Sequence, residues 1–455
     1  MDKTTGRFAD YTAALTYADL TPEALHAVKR CLVDSVGCAF GGFNAEPVKA
    51  LRALAARVTA ASPASLFGTR IRSSPEWATL VNATMVRYLD FSDDYFGGDG
   101  MQAGPHPSDN IAAVWAAAES SGADGKSLLL GIALAYEACG QLVDNVLLNP
   151  RFDYTVMHAV ATALGAGRVM GLSRDQLANA VGLAVVPNIS LWQNRTGHLS
   201  NWKGCAGPNG SRAGLLAAML AGEGITGPAE SFEGPAGFMK VLQCPFELGD
   251  FGGGKTPFKV ELTYFKYMPV MYSIQTPIWI AFELRQKVKI EDIESIVVYI
   301  DAQNLGRGSY SPERWNPTTR ETADHSAPFL IGAALVDGEI TPNTPEKFRD
   351  PAILSLIKKI SAREDPHYTA EFPRTFHCRF EVKMRSGQPL SLHYANPKGH
   401  PANPMTDREI EAKFFKQAEP LIGNEKSRLL LGQIWNLENL KDVSTPFASM
   451  VVPNR

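Results

Sequence analysis

The chain has 455 residues, 45% of them hydrophobic and 20% charged, with 44 basic against 47 acidic side chains and a formal net charge of -3. That is ordinary globular composition at a length for about two or three domains of roughly 150 residues, with a core that needs no disulfide or metal staple. The near-neutral balance argues against a nucleic-acid protein, which carries a basic excess.

Six cysteines, at 31, 38, 139, 205, 244 and 378, lie far apart. No C-x-x-C pair occurs, so neither a zinc knuckle nor an iron–sulfur motif is visible, and scattered thiols fit a reducing compartment. The first residues, Met-Asp-Lys-Thr-Thr-Gly-Arg, lack an apolar signal core. The longest apolar stretches, 128–135 and 213–221, are too short to span a bilayer. The expectation is a soluble cytoplasmic protein with no membrane partner.

Residues 1–250 read as helix after helix. Thr21-Pro22-Glu23 gives an N-cap and a first-turn proline leading into a helix over 24–40. Ser108 or Asp109 can cap a helix over 111–121, and further helices are expected over 128–148, 174–186 and 211–223. Small residues on these helices, among them Gly131, Ala135 and Gly165, permit close approach. The stretch Gly249-Asp-Phe-Gly-Gly-Gly-Lys-Thr satisfies the letters of a P-loop, but Pro257 follows where a helix should open. It reads instead as a flexible interdomain linker, followed by a strand-like Phe258-Lys-Val-Glu-Leu. Beyond it the pattern changes: a strand over 295–301, and a hairpin pairing 376–384 with 390–394 across Arg385-Ser-Gly. Helices are expected at 275–286 and 328–335, and the helical pattern returns from 407 to 422. The expected fold is therefore mostly α: an all-helical domain over 1–253 and 396–455, with an inserted smaller α+β domain over 254–395.

Five clusters concentrate polar groups. Asp90-Phe-Ser-Asp-Asp94 and His106-Pro-Ser-Asp-Asn flank a Gly-rich loop that can join carboxylates to an imidazole for acid–base work. Arg195-Thr-Gly-His-Leu-Ser-Asn-Trp-Lys203 suggests anion capture, with a solvated basic loop as the alternative. Lys266-Tyr-Met-Pro-Val-Met-Tyr-Ser-Ile-Gln275 carries a lysine that can equally be a surface residue. Trp315 to Ser326 holds Arg320, Asp324, His325 and Ser326, where Ser and Asp can simply cap the next helix. A Ser-His-Asp hydrolase is set aside because no G-x-S-x-G elbow is present. His158, on an Ala-rich apolar stretch, reads first as a core histidine and second as a functional one.

Together these clusters resemble the MmgE/PrpD family. The carrying motifs are Leu89-Asp-Phe, His106-Pro-Ser-Asp-Asn, Gly197-His-Leu-Ser-Asn-Trp-Lys-Gly, Gly224-Ile-Thr-Gly-Pro, Phe265-Lys-Tyr-Met-Pro, Arg320-Glu-Thr-Ala-Asp-His-Ser and Gly399-His-Pro-Ala-Asn-Pro-Met-Thr-Asp. The resemblance implies a helical domain built from both chain ends, an α+β lid, a homodimer, and an active site between the domains that uses Asp90, His106, Lys203 and Lys266. The sequence departs from the family where Asp94 replaces a threonine, where Ser273 replaces a histidine, and in the offset of His158.

The Trp-Lys-Gly form resembles the 2-methylcitrate dehydratase branch. The resemblance thus implies a hydro-lyase without cofactor or metal, removing a proton α to a carboxylate of a hydroxylated di- or tricarboxylate. Asp90, His106, Lys203, Lys266 and His325 form the expected catalytic set, and Asp94, His158, Arg195, Gln275 and Arg320 the expected binding set. Fixed cations would stabilise the charge that develops on the substrate carboxylate. A cis-aconitate-type decarboxylase, an iminodisuccinate-type epimerase and a silent acid-binding homologue are the alternatives.

Overall fold

A computed structural model describes residues 1–97, 104–306 and 308–453. The middle of the Gly-rich loop between Asp94 and His106 lies outside the described residues. The chain divides into two compact units, one formed by Met1–Trp192, Gly204–Thr263 and Thr406–Arg455, the other by Gln193–Lys203 and Tyr264–Met405.

The first unit is helical. Its Pro22–Gly42 helix starts as its sequence dictates: Thr21 Oγ1 accepts a hydrogen bond from the Ala24 amide at 3.0 Å, with proline in the first turn. Asp124 caps the next long helix by accepting from Ser127 N at 2.9 Å, which moves it to Gly125–Asn145 from the expected 128–148. This helix is long and apolar enough to cross a membrane, yet it lies buried among its neighbours, with Glu137 and Gln141 also inside. It packs against Thr155–Val169, where a Cβ on Gly165 would lie 2.5 Å from the Gly131 carbonyl oxygen, so only glycine allows this crossing. The core here is built from residues such as Leu142, Val143, Val160, Leu164, Val181 and Phe232. Each contributes roughly 1.5–3 kcal/mol by leaving water.

Three local expectations fail in this unit. Residues Pro107–Asn110 form a 3-10 turn that runs straight into the Ile111–Ser121 helix, so neither Ser108 nor Asp109 caps it by a side-chain bond. The glycine run at 249–256 is not a loose linker: Gly252 N donates to Glu137 Oε1 at 2.8 Å and Lys259 N to Glu137 Oε2 at 2.9 Å. The strand-like Phe258–Leu262 stretch is a 3-10 turn, Lys259–Leu262, fixed by Phe258 N donating to Glu261 Oε1 at 2.8 Å. The buried Glu137 carboxylate anchors the segment to the first unit, which therefore extends to Thr263.

The second unit centres on a four-stranded sheet. Its strands are β1 (Ile293–Ile300), β2 (Ile360–Glu364), β3 (Cys378–Met384) and β4 (Pro389–Tyr394), in spatial order β2-β1-β3-β4. β1 and β2 run parallel, with Ile296 opposite Ile360. β1 and β3 are antiparallel, with Val298 opposite Phe380, and β3 and β4 form the expected hairpin with Phe380 opposite Leu392. Helix Gln275–Lys287 packs on β3 and β4, and helix Ala327–Asp337 packs on that helix in turn. Ile278, Leu284, Phe329, Ile331, Ile296 and Val382 meet in its core.

The unit runs on to Met405 because Phe265 N donates to the Gly399 carbonyl at 2.9 Å. The separate strip 193–203 joins it through Leu199, whose amide donates to Thr322 Oγ1 and whose carbonyl accepts from Thr319 Oγ1, both at 3.1 Å. The division thus falls at 263/264 and 405/406, with a strip that the expected boundaries did not include.

Candidate active site

Asp90, His106, Lys203 and Lys266 are 2%, 4%, 6% and 1% exposed, so none is an ordinary surface charge. Burying such groups is costly unless they are compensated. The two units do this differently.

In the first unit the Pro75–Arg87 helix ends and the chain turns at Asp90, which adopts a left-handed φ of 51°. That conformation is uncommon for a residue with a Cβ and is best tolerated by Asp, Asn and Gly. It brings the Asp90 carboxylate back to Arg87, with Nη1 to Oδ1 at 2.6 Å. Burial disfavours the Arg87 charge, but Asp90 and then Tyr154, Asp109 and Asp94 outweigh it and hold the guanidinium above its ordinary pKa.

His106 reaches the same place from the other side of the Gly-rich loop. Its Nδ1 lies 2.6 Å from the Asp93 carbonyl oxygen and 3.2 Å from Asp94 Oδ1. A carbonyl oxygen only accepts, so Nδ1 carries a hydrogen, and in the neutral ring the basic lone pair sits on Nε2. Nε2 is 3.9 Å from Asp90 Oδ1. Asp94, which alone would repel an anionic substrate, is thus paired with the imidazole. Asp93 is buried and accepts from Tyr136 Oη at 2.6 Å and from Ser108 N at 3.1 Å. Burial outweighs these bonds and pushes its carboxyl up to about 6.

His158 lies deeper, fully buried, with Nε2 3.7 Å from Asp109 Oδ2 and Nδ1 3.4 Å from Asn110 Nδ2. Asn110 Oδ1 in turn accepts from Thr162 Oγ1 at 2.6 Å. A Cβ on Gly207 would lie 2.0 Å from Asp109 Oδ2, so a larger residue here would displace the Asp109 carboxylate from its place beside His158.

The second unit gathers cations around one carboxylate. Asp324 Oδ1 accepts from His325 Nδ1, which leaves the reactive lone pair of the neutral ring on Nε2. Asp324 Oδ2 is 3.5 Å from Arg320 Nη1. Burial alone would raise the Asp324 pKa, but His325, Lys203 and Arg320 together hold it below the ordinary carboxylate range. Ser326 caps the following helix by accepting from Phe329 N at 3.2 Å, as expected. Met271 N donates to the Asp324 carbonyl at 3.3 Å, which ties the Lys266 loop to this centre.

Two expected substrate contacts have other partners. Gln275 accepts from Met268 N at 3.1 Å and donates to the Met268 carbonyl at 2.8 Å, so its amide shapes the loop behind Lys266. Arg320 also reaches Glu346 Oε1 at 3.3 Å and the Pro342 carbonyl at 3.4 Å, so it holds Asp324 in place. Arg195 ends a 3-10 turn, Trp192–Arg195, and is half-buried.

Sequence reasoning missed Arg314. It is 4% exposed, and its Nε and Nη1 are buried without a hydrogen-bond partner among the described residues. Burial holds its pKa below the ordinary value, against the pull of Glu313 and Asp324. The hydroxyls of Ser309, Tyr310 and Ser311 are buried and unmatched in the same way. A guanidinium fork with open donors is suited to a carboxylate. The only signal is position: Arg314 immediately precedes Trp315, where the fourth cluster begins.

Known proteins match over both units. The MmgE/PrpD N-terminal domain matches residues 6–249 and the MmgE/PrpD C-terminal domain residues 268–438. A 2-methylcitrate dehydratase of Salmonella typhi is 26% identical over 79% of this chain and 77% of its own. A mitochondrial 2-methylcitrate dehydratase of Yarrowia lipolytica is 25% identical over 88% of this chain and 80% of its own. The cis-aconitate decarboxylase of Homo sapiens is 24% identical over 97% of this chain and 93% of its own.

Proposed function

The chain belongs to the MmgE/PrpD family, and from that membership we propose a lyase that removes water from a hydroxylated di- or tricarboxylate of the 2-methylcitrate type. The observation that carries this reading is the placement of the His106 ring: Nδ1 lies 2.6 Å from the Asp93 carbonyl, which holds its hydrogen, while Nε2 stands 3.9 Å from Asp90, which is paired with Arg87. An imidazole so arranged takes a proton at Nε2, and the imidazolium that results is stabilised by Asp90. His325, oriented by Asp324, is the second proton carrier: in its imidazolium form it delivers the Nε2 hydrogen to the leaving hydroxyl, which departs as water and leaves the ring neutral. Removing a hydrogen α to a carboxylate builds a second negative charge on it. Lys203, Lys266 and Arg314 supply the fixed positive charge that this carboxylate needs.

A decarboxylase is the second reading, favoured by the similarity to the cis-aconitate decarboxylase of Homo sapiens, which extends over 97% of this chain. It uses the same cations: carbon dioxide leaves in place of the proton, and a protonated histidine of the site then delivers a proton to the electron pair left on carbon. Incubation with 2-methylcitrate, citrate, cis-aconitate and iminodisuccinate, followed by NMR, separates the outcomes. Alkene formation from 2-methylcitrate supports the dehydratase, and loss of carbon dioxide from cis-aconitate replaces it. Calorimetric binding without any turnover removes both. The reading includes a cytoplasmic homodimer; six buried free thiols suit a reducing compartment.

A further inference from the structure

The second unit holds a cluster of imidazoles that belongs to neither centre described above. Helix Pro366–Glu371 places His367 and Glu371 four residues apart, on one face. His377, immediately before β3, meets them: His377 Nε2 is 2.6 Å from Glu371 Oε2, and His367 Nε2 is 3.8 Å from Glu371 Oε1. One ligand atom from each of the three residues lies within 4.8 Å of the others. The His377 ring packs nearly parallel to Tyr368, at 4.8 Å and 15°, and to His393 of β4, at 5.3 Å and 18°, and these two rings lie 5.7 Å from each other, so the three support one another.

We propose that His367 Nε2, Glu371 and His377 Nε2 form a binding site for a divalent transition metal ion of the zinc type, with His393 as the group that orients His377. Two imidazoles and one carboxylate are the donor set that zinc accepts with an open fourth position, whereas magnesium and calcium prefer oxygen alone. Metal-binding histidines usually donate their other ring N–H to an acceptor that sets the tautomer. Here His377 Nδ1 is 3.1 Å from His393 Nε2. The lone pair of His393 Nε2 can accept that hydrogen. Small rotations of the exposed His367 and of Glu371 would bring the three ligand atoms to metal-binding spacing. The bound ion would then fasten the 366–371 helix to the start of β3.

The test is isothermal titration of untagged, chelator-stripped protein with zinc chloride, paired with thermal unfolding. One zinc per chain is expected, with a rise in Tm and no response to magnesium at the same concentration. His367→Gln changes an exposed side chain, so the fold should survive while zinc binding at this site is lost. His377→Gln should behave alike, and His393→Ala should weaken binding by about 10–100-fold. Absence of zinc binding in the unchanged protein overturns the proposal, as does a His367→Gln protein that keeps the original stoichiometry and affinity.

Discussion

Asp93 in the first unit and Asp324 in the second are both buried aspartates, yet they titrate in opposite directions. Around Asp93 the partners are a phenol and a backbone amide, so burial wins and the carboxyl rises to about 6. Around Asp324 stand His325, Lys203 and Arg320, so burial loses and the carboxyl is held low. The lesson is that burial alone does not set protonation; the company a group keeps decides the sign. One cluster is rich in carboxylates and imidazole and suited to moving protons. The other is rich in fixed cations and suited to holding an acid.

If this division is right, substitutions in the two clusters should fail differently. His106→Ala should cost the most, lowering kcat by about 10²–10⁴-fold while circular dichroism and Tm stay near normal. Lys203→Ala should follow, with a kcat loss of roughly 10²–10³-fold in steady-state kinetics. The carboxyl contrast is read from stability against pH. The folded pKa of Asp93 is raised, so the native state binds the extra proton and stability falls as pH climbs from about 4 to about 6, by about 3 kcal/mol. Asp93→Asn should flatten that slope in urea titrations. Asp324 has a lowered folded pKa, so its contribution is present above the ordinary carboxylate range and is lost in acid; Asp324→Asn should lose stability at neutral pH. Arg314→Gln should raise KM by about ten- to a hundredfold with a smaller change in kcat, as expected when a charged hydrogen bond to bound substrate is removed. The smallest effect is Ser326→Ala, which removes a helix cap and should lower stability by about 1 kcal/mol with activity retained.

Much of this was legible in the sequence wherever a local rule acts. Thr21-Pro22 started its helix, Ser326 capped its own, and the alternation at 376–384 produced the hairpin. Strand β2 was not visible because Ser-Ala-Arg-Glu carries no apolar alternation and pairs at a sheet edge. Of the site, the polar types could be picked out, but not their partners. Gln275 and Arg320 look like ligand contacts in a string of letters, and only folding shows them bonded to Met268 and Asp324. Arg314 failed the opposite way: nothing in Pro-Glu-Arg-Trp tells that its Nε and Nη1 are buried without a hydrogen-bond partner among the described residues.

The strip 193–203 has a practical corollary. A gene fragment beginning at Tyr264 and ending at Met405 would omit Lys203 and would leave Thr319 and Thr322 without their bonds to Leu199. Swapping the smaller unit between homologues by a single cassette would therefore yield a chimera with a mismatched lysine. A recombinant that exchanges both segments together keeps that lysine with the aspartate it faces.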